Sequence, residues 1–393
     1  MPMLTSLAYI FIFGLIGSLL SKFVKIPSLV GMLIAGILIG PFALNLLDQS
    51  ILDMSADLRT FALIIILIKA GLSLKLSDMK QVGRPALFMS FVPASCEIIG
   101  YVFFAKAILG LSWLEGALLG AVLAAVSPAV VVPRMTKLID EGYSDRTKIP
   151  QLITAGASCD DIFVIVLFSS FLSALETGDN IDFTTLINVP ISIFLGISIG
   201  VIVGLLLCFL FKHFDIQNSV KIILIISCSF LLLQLQDTCE GIVAISGLIG
   251  VMSLSIVLKN QLQESTTTNL SQIISRLWVA FELLLFVLVG ASVNIDYTLH
   301  AGFSSVIIIF IGLIFRCCGV FLALLGTNLN KKEKLYCAAS YLPKATVQAA
   351  IGGVALATGL GCGEIVLCIS VIAILITAPL GAILIDKLKA WIA

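Results

Sequence analysis

Charge is what this sequence has least of. Only 12% of its 393 residues are Asp, Glu, Lys or Arg, about half the share of an ordinary soluble domain. The 23 basic and 23 acidic residues cancel, so the net charge is zero. Such a chain cannot clothe a soluble surface, and without a basic excess it offers nothing to a nucleic-acid backbone. Soluble enzymes, disordered segments and nucleic-acid binders are excluded. Histidine is scarce as well. His213 and His300 are the only two, both at segment ends, which excludes a histidine metal site within the membrane. The cysteines include no Cys-x-x-Cys pair. Most of them (Cys96, Cys208, Cys228, Cys317, Cys318, Cys337 and Cys368) lie inside apolar runs and read as small packing residues. Met1 to Ser6 has no Lys or Arg. The first apolar run thus lacks the basic start of a signal peptide and reads as a retained helix. No stretch shows the alternating segments of about ten residues that a membrane β-barrel needs.

What remains is apolar. Hydrophobic residues make up 60% of the chain and the mean hydropathy is +1.16. A spanning helix needs about 20 apolar residues. Cutting at charge clusters and turn residues gives thirteen segments: 4–23, 28–47, 57–75, 86–110, 114–136, 149–174, 187–212, 219–236, 240–258, 274–293, 302–325, 335–359 and 363–385. The expected class is an all-α polytopic membrane protein. The loops set its orientation. Lys22 and Lys25, then Lys75, Lys80 and Arg84, then Arg134, Lys137, Arg146 and Lys148 fall in the first three odd loops. Lys212, Lys221, Lys259, Arg276, Lys331, Lys332, Lys334, Lys387 and Lys389 continue the series, while the even loops hold only Arg59. By the positive-inside rule the C-terminus is cytoplasmic and the N-terminus outside.

The chain also repeats itself weakly. A shift of 219 residues lays Ile68–Leu74 on Val287–Val293 and Glu97 on Arg316; a shift of 215 lays Pro128 on Pro343. Residues 1–186 (segments 1–6) then correspond to 219–393 (segments 8–13), with 187–218 (segment 7) as a linker helix. An offset of seven helices is odd, so the repeats would run in opposite directions, as in secondary transporters with a site at the midplane.

Eight ionisable residues fall inside segments: Lys69, Glu97, Lys106, Asp160, Asp161, Glu282, Arg316 and Lys344. Each costs about 2.5–3.5 kcal/mol at a helix centre on insertion scales. Asp160 and Asp161 are adjacent, so on a helix they point about 100° apart and can face different partners. Ser158 and Thr154 share the face of Asp161 and can supply hydroxyl oxygens. A hard cation such as Na⁺ wants such oxygens, and a carboxylate can hold a proton instead. One group that binds either is the minimal chemistry of an exchanger. Pro128 and Pro343 sit mid-segment and are expected to break their helices, which is tolerated at membrane depth only where a cavity is lined. Ser127 precedes the first of these breaks. Lys344 is placed to neutralise helix C-terminal ends. Arg316 always carries its charge and needs a partner, with Glu97 the leading candidate and Asp160 the other. Lys69 and Glu282 share the cytoplasmic half and form a candidate pair. Lys106 is near an outer end, where it can snorkel.

The runs Gly31–Pro41, Ser127–Pro133, Cys159–Asp161 and Leu342–Gln348 resemble the monovalent cation:proton antiporters. The match is to their second subgroup, and within it to sodium/proton antiporters of the branch shared by bacteria and animals. The resemblance covers essentially the whole chain. It implies a homodimer in the membrane lipid, with an elevator-like core of segments 4–6 and 11–13 and a scaffold from the rest. It implies no cofactor, and makes Asp161 the principal site for Na⁺ (or Li⁺) and H⁺, with Asp160 as its partner. The host is expected to be a cell (inner) membrane. Two residues depart from the pattern. Relatives with paired aspartates often carry lysine where this chain has Arg316, and an arginine cannot release its proton. Some relatives carry an acid where Ser127 stands. The runner-up is K⁺/H⁺ exchange by the same machinery. A sodium-coupled organic-anion symporter would need a solute cavity, and a pore would need a charged ring. An intramembrane aspartyl protease would need two carboxylates facing one water, whereas Asp160 and Asp161 diverge and no Gly-x-Gly-Asp motif exists. A transporter is expected, not an enzyme.

Overall fold

The computed structural model describes residues 3–73, 83–143, 148–176, 183–239 and 245–392. Its elements are helical. Met3–Phe23 (α1) and Ser28–Ile39 (α2) precede the short Gln49–Asp53 (α3) and then Ser55–Ser73 (α4). Arg84–Met89 (α5) leads into Val92–Leu109 (α6). Trp113–Ala124 (α7) is followed, after residues 125–127, by Pro128–Asp140 (α8). Ile149–Glu176 (α9), Phe183–His213 (α10), Asn218–Thr238 (α11) and Gly247–Gln261 (α12) come next. Glu264–Ala291 (α13) and Ile295–Ala323 (α14) precede Lys331–Ser340 (α15). Thr346–Gly352 (α16) begins after residues 341–345, and Val354–Ala357 (α17) and Gly363–Leu388 (α18) complete the set before a closing 3₁₀ turn. Helices are what apolar runs must form where no water can satisfy the backbone.

Among the described residues, nine helices are long and apolar enough to cross a membrane. Four of the thirteen expected segments fall below that measure. In segment 2 the helix stops at Ile39, ahead of Gly40 and Pro41. Segment 3 carries Asp57, Arg59 and Lys69 within α4. In segment 9 the helix α12 has 15 residues. Segment 12 is divided at residues 341–345. Segment 10 begins ten residues earlier than expected, at Glu264, so Arg276, counted above with the loop charges, lies well inside a helix. An acid in the first turn suits the positive end of the helix dipole.

Two helix starts are built alike. Ser112 Oγ accepts the N–H of Glu115 at 3.2 Å, and the Glu115 carboxylate accepts the N–H of Ser112 at 2.8 Å. Asn330 and Glu333 repeat this reciprocal cap, at 2.9 and 2.7 Å, ahead of α15. Each cap satisfies two N–H groups that the helix itself leaves free.

The chain divides into two compact units. The first comprises residues 1–59, 76–164 and 283–393, and the second 60–75 and 165–282. In the first, α6 packs along α14 and α7, bringing Glu97 toward Arg316. In the second, α10 packs along α12, and the Phe61 ring meets Phe281 tilted and Phe230 edge-on, at 4.4 and 4.9 Å between centroids. The outer face of α10 stays apolar, with Phe194, Leu206 and Phe209 exposed, as a lipid-facing surface requires.

Candidate functional site

The site grows from the end of α7. A helix leaves its last carbonyls without backbone donors. α7 stops at Ala124 because Ala125 turns extended, with φ −68° and ψ 138°. The freed carbonyls are taken up by side chains from other helices. Lys344 Nζ donates to Leu123 O, and Arg316 Nη1 donates to Ala124 O. Gln348 Nε2 donates to Ala125 O at 2.8 Å and to Leu123 O at 3.3 Å. Two cations thus meet the negative end of a helix dipole.

The two acids that balance them come from α6 and α9. Arg316 Nη1 is 2.9 Å from Glu97 Oε2, and its Nη2 is 2.9 Å from Asp160 Oδ2. Lys344 Nζ is 2.7 Å from Glu97 Oε1. All four side chains are fully buried. Arg316 therefore takes both of its candidate partners, and Lys344 adds a pair that sequence reasoning missed. Asp160 Oδ2 also accepts the N–H of Val126 at 2.8 Å, which ties α9 to the stretch between α7 and α8. That stretch meets its counterpart directly, because Ser127 N–H donates to Pro343 O at 2.8 Å. Pro128 opens α8, where its missing N–H costs nothing. The Lys344 N–H is received by Thr377 Oγ1 of α18 at 2.9 Å.

Asp161 stands outside this network. It is 9% exposed, and its Oδ1 is buried with no hydrogen-bond partner. Among the described residues no basic side chain pairs with it. Ser127 is 1% exposed and its Oγ is likewise without a partner. Thr154 is half-buried, and its hydroxyl donates to Pro150 O at 2.8 Å. The side chain of Ser158 lies outside the described residues. Lys106 is exposed in the last turn of α6, 4.7 Å from the Trp113 ring. Lys69 Nζ is 5.8 Å from the ring of Trp278.

Three further residues hold the site together. Gln348 lies in a run already singled out, yet no role followed from its type alone. Its Oε1 accepts the N–H of Ala345 at 2.7 Å, so one amide caps α16 and links it to α7. Tyr341 contributes its carbonyl to Arg316 Nε, and its ring is 5.3 Å from the guanidinium. The hydroxyl of Tyr341 is where a Cβ on Gly156 would be, at 2.1 Å, so only glycine lets α9 approach here.

Comparison with known proteins places the chain. The family model described as "Sodium/hydrogen exchanger, transmembrane" matches residues 7–388. Sodium/hydrogen exchanger 9B2 of Homo sapiens is 36% identical over 379 residues, which cover 92% of this chain and 69% of that protein. Sodium/hydrogen exchanger 9B1 of Mus musculus is 33% identical, covering 98% of this chain and 70% of the relative. In fold, the chain is similar to the sodium proton antiporter MjNhaP1 from Methanocaldococcus jannaschii. That structure aligns with a TM-score of 0.83 at 21% identity, over 100% of this chain and 98% of the other. The resemblance read from the sequence holds at the level of the family. This chain is an integral, multi-pass membrane protein and belongs to the sodium/hydrogen exchanger family.

Proposed function

We propose that the protein exchanges Na⁺, or Li⁺, for H⁺ by alternating access of a membrane-buried site at Asp161. One observation carries this reading. Glu97, Asp160, Arg316 and Lys344 close on one another as two acids and two bases, and Asp161 is left as an uncompensated buried carboxylate. A buried charge must be neutralised. A proton or a monovalent cation does so equally, and only one of them fits at a time. Ser127, with its free Oγ, supplies a neutral oxygen, and Thr154 and Ser158 belong to the same set. The names of the relatives favour Na⁺ over the K⁺ alternative. They also stand against the protease reading, and Arg316 engages Asp160 in a way that leaves no shared proton for two aspartates.

The wider architecture follows from the same reading. The interruptions at residues 125–127 and 341–345 are broken helices that cross at the midplane. The matched caps at Ser112–Glu115 and Asn330–Glu333, 218 residues apart, support inverted repeats within a thirteen-segment topology. Segments 4–6 and 11–13 form the moving core, and the rest is a scaffold that forms a homodimer in the lipid. The N-terminus is outside and the C-terminus cytoplasmic, in the cell membrane. The test is purified protein in liposomes that enclose a pH-sensitive dye. Na⁺ and Li⁺ should each drive proton movement, and K⁺ should not. A response to K⁺ alone would overturn the assignment.

A further inference from the structure

Arg59 is a third buried cation, beside Arg316 and Lys344, and their network does not use it. It lies in the second turn of α4 and is 7% exposed. Its Nε donates to the carbonyl of Ser55 at 3.2 Å, which folds the guanidinium back toward the start of the helix. Its Nη1 is buried with no partner. Among the described residues no acid pairs with it, and Asp57 in the same stretch is exposed. Ser55, the first residue of α4, is 4% exposed, and its Oγ is also buried without a partner. α4 is 19 residues long, so its first turn presents the free N–H groups and positive dipole of a full helix. From the other side the site is closed by Gly353, between α16 and α17. A Cβ there would lie 2.2 Å from Arg59 Nη1.

We propose that Ser55 and Arg59 bind a small inorganic monoanion, such as chloride. A guanidinium only donates hydrogen bonds, a hydroxyl can donate, and helix N-terminal amides donate. Everything gathered at this point therefore calls for an acceptor. The charge of Arg59 sets the sign and magnitude, because a buried cation without an acid is strongly disfavoured until an anion neutralises it. The burial of both residues sets the size, since a lipid headgroup brings a glycerol backbone that needs an open path. The bound ion would join the first turn of α4 to the α16–α17 junction. Among the described residues neither Ser55 nor Arg59 is bonded to Asp161 or to the Arg316 network, so the ion's role is to hold the fold and not to carry transport.

The test is thermal unfolding of the full-length protein at constant Na⁺ and constant ionic strength, with gluconate replaced stepwise by chloride. The expected result is a saturable rise in Tm with chloride, reproduced by bromide. Arg59→Gln should abolish the dependence, and so should Gly353→Ala, whose added methyl displaces the guanidinium. The wild-type series stands even if Arg59→Gln does not fold: equal Tm in chloride and gluconate overturns the proposal. A parallel series in phosphatidylcholine nanodiscs, with and without phosphatidylglycerol, separates the two sources of anion. A rise that follows phosphatidylglycerol and ignores chloride would assign the charge to a headgroup and overturn the small-anion site. A chloride response in Arg59→Gln equal to that of the wild type would overturn it too.

Discussion

Nη2 of Arg316 lies 2.9 Å from Oδ2 of Asp160, with both side chains fully buried. The contact gives two neighbouring carboxylates different surroundings. Asp160 is held by Arg316 and by the Val126 N–H. Asp161, about 100° further round the helix, has no such hold. Adjacent positions on α9 thus give one fixed acid and one available acid.

Breaking the network should be costly. Removing one partner of a buried ion pair typically costs about 3–5 kcal/mol, because a charge is left uncompensated. Glu97→Ala leaves Lys344 without an acid and Arg316 with Asp160 alone, and Arg316→Ala leaves Asp160 without a base and Glu97 with Lys344 alone. Each should lower Tm strongly. Thermal unfolding of the double variant should show less loss than the sum of the two. Simple additivity would mean that the pair is not coupled.

Arg316→Lys probes proton stoichiometry. An arginine keeps its charge through the cycle, whereas a lysine can lose its proton in a dry site. The variant should still exchange, but with an altered dependence on membrane voltage, measured in liposomes under an imposed potential. Active protein with unchanged voltage dependence would limit Arg316 to a structural role.

Gln348 joins α16 to the end of α7 through a fully buried amide. Gln348→Leu keeps the bulk but leaves the Ala125 carbonyl and the Ala345 N–H without their partner. Unsatisfied buried groups cost about 1–3 kcal/mol each. A clear drop in Tm is expected, and a Tm equal to the wild type would show that the amide is dispensable.

Competition for one carboxylate dictates the pH response. If Asp161 is the proposed site, protons and Na⁺ exclude each other there, so lowering pH should raise the apparent KM for Na⁺ without an equal loss of maximal rate. Flow assays across a pH series read both. A KM that stays flat while activity titrates would require a separate proton sensor.

The membrane class was legible because hydropathy reports burial in lipid directly, and α1, α10 and α18 are little else but apolar side chains. Glu97, Asp160, Arg316 and Lys344 were legible as charges in expensive places. Their pairing was not. Residue type named two possible partners for Arg316, and the fold uses both. The carbonyls of Leu123, Ala124 and Tyr341 were invisible, since any residue carries one and only tertiary geometry frees and aims it. The start of α13 was missed because the polar run after Glu264 looked like a loop, whereas α13 carries it as helix.

The most direct measurement is exchange by Asp161→Asn in dye-loaded liposomes, beside the wild type and with Tm recorded for both. Asparagine keeps the shape and removes the charge that a proton or Na⁺ would neutralise. Folded protein with no cation-driven proton movement is the predicted result. Near-normal exchange by a well-folded Asp161→Asn protein would contradict the account.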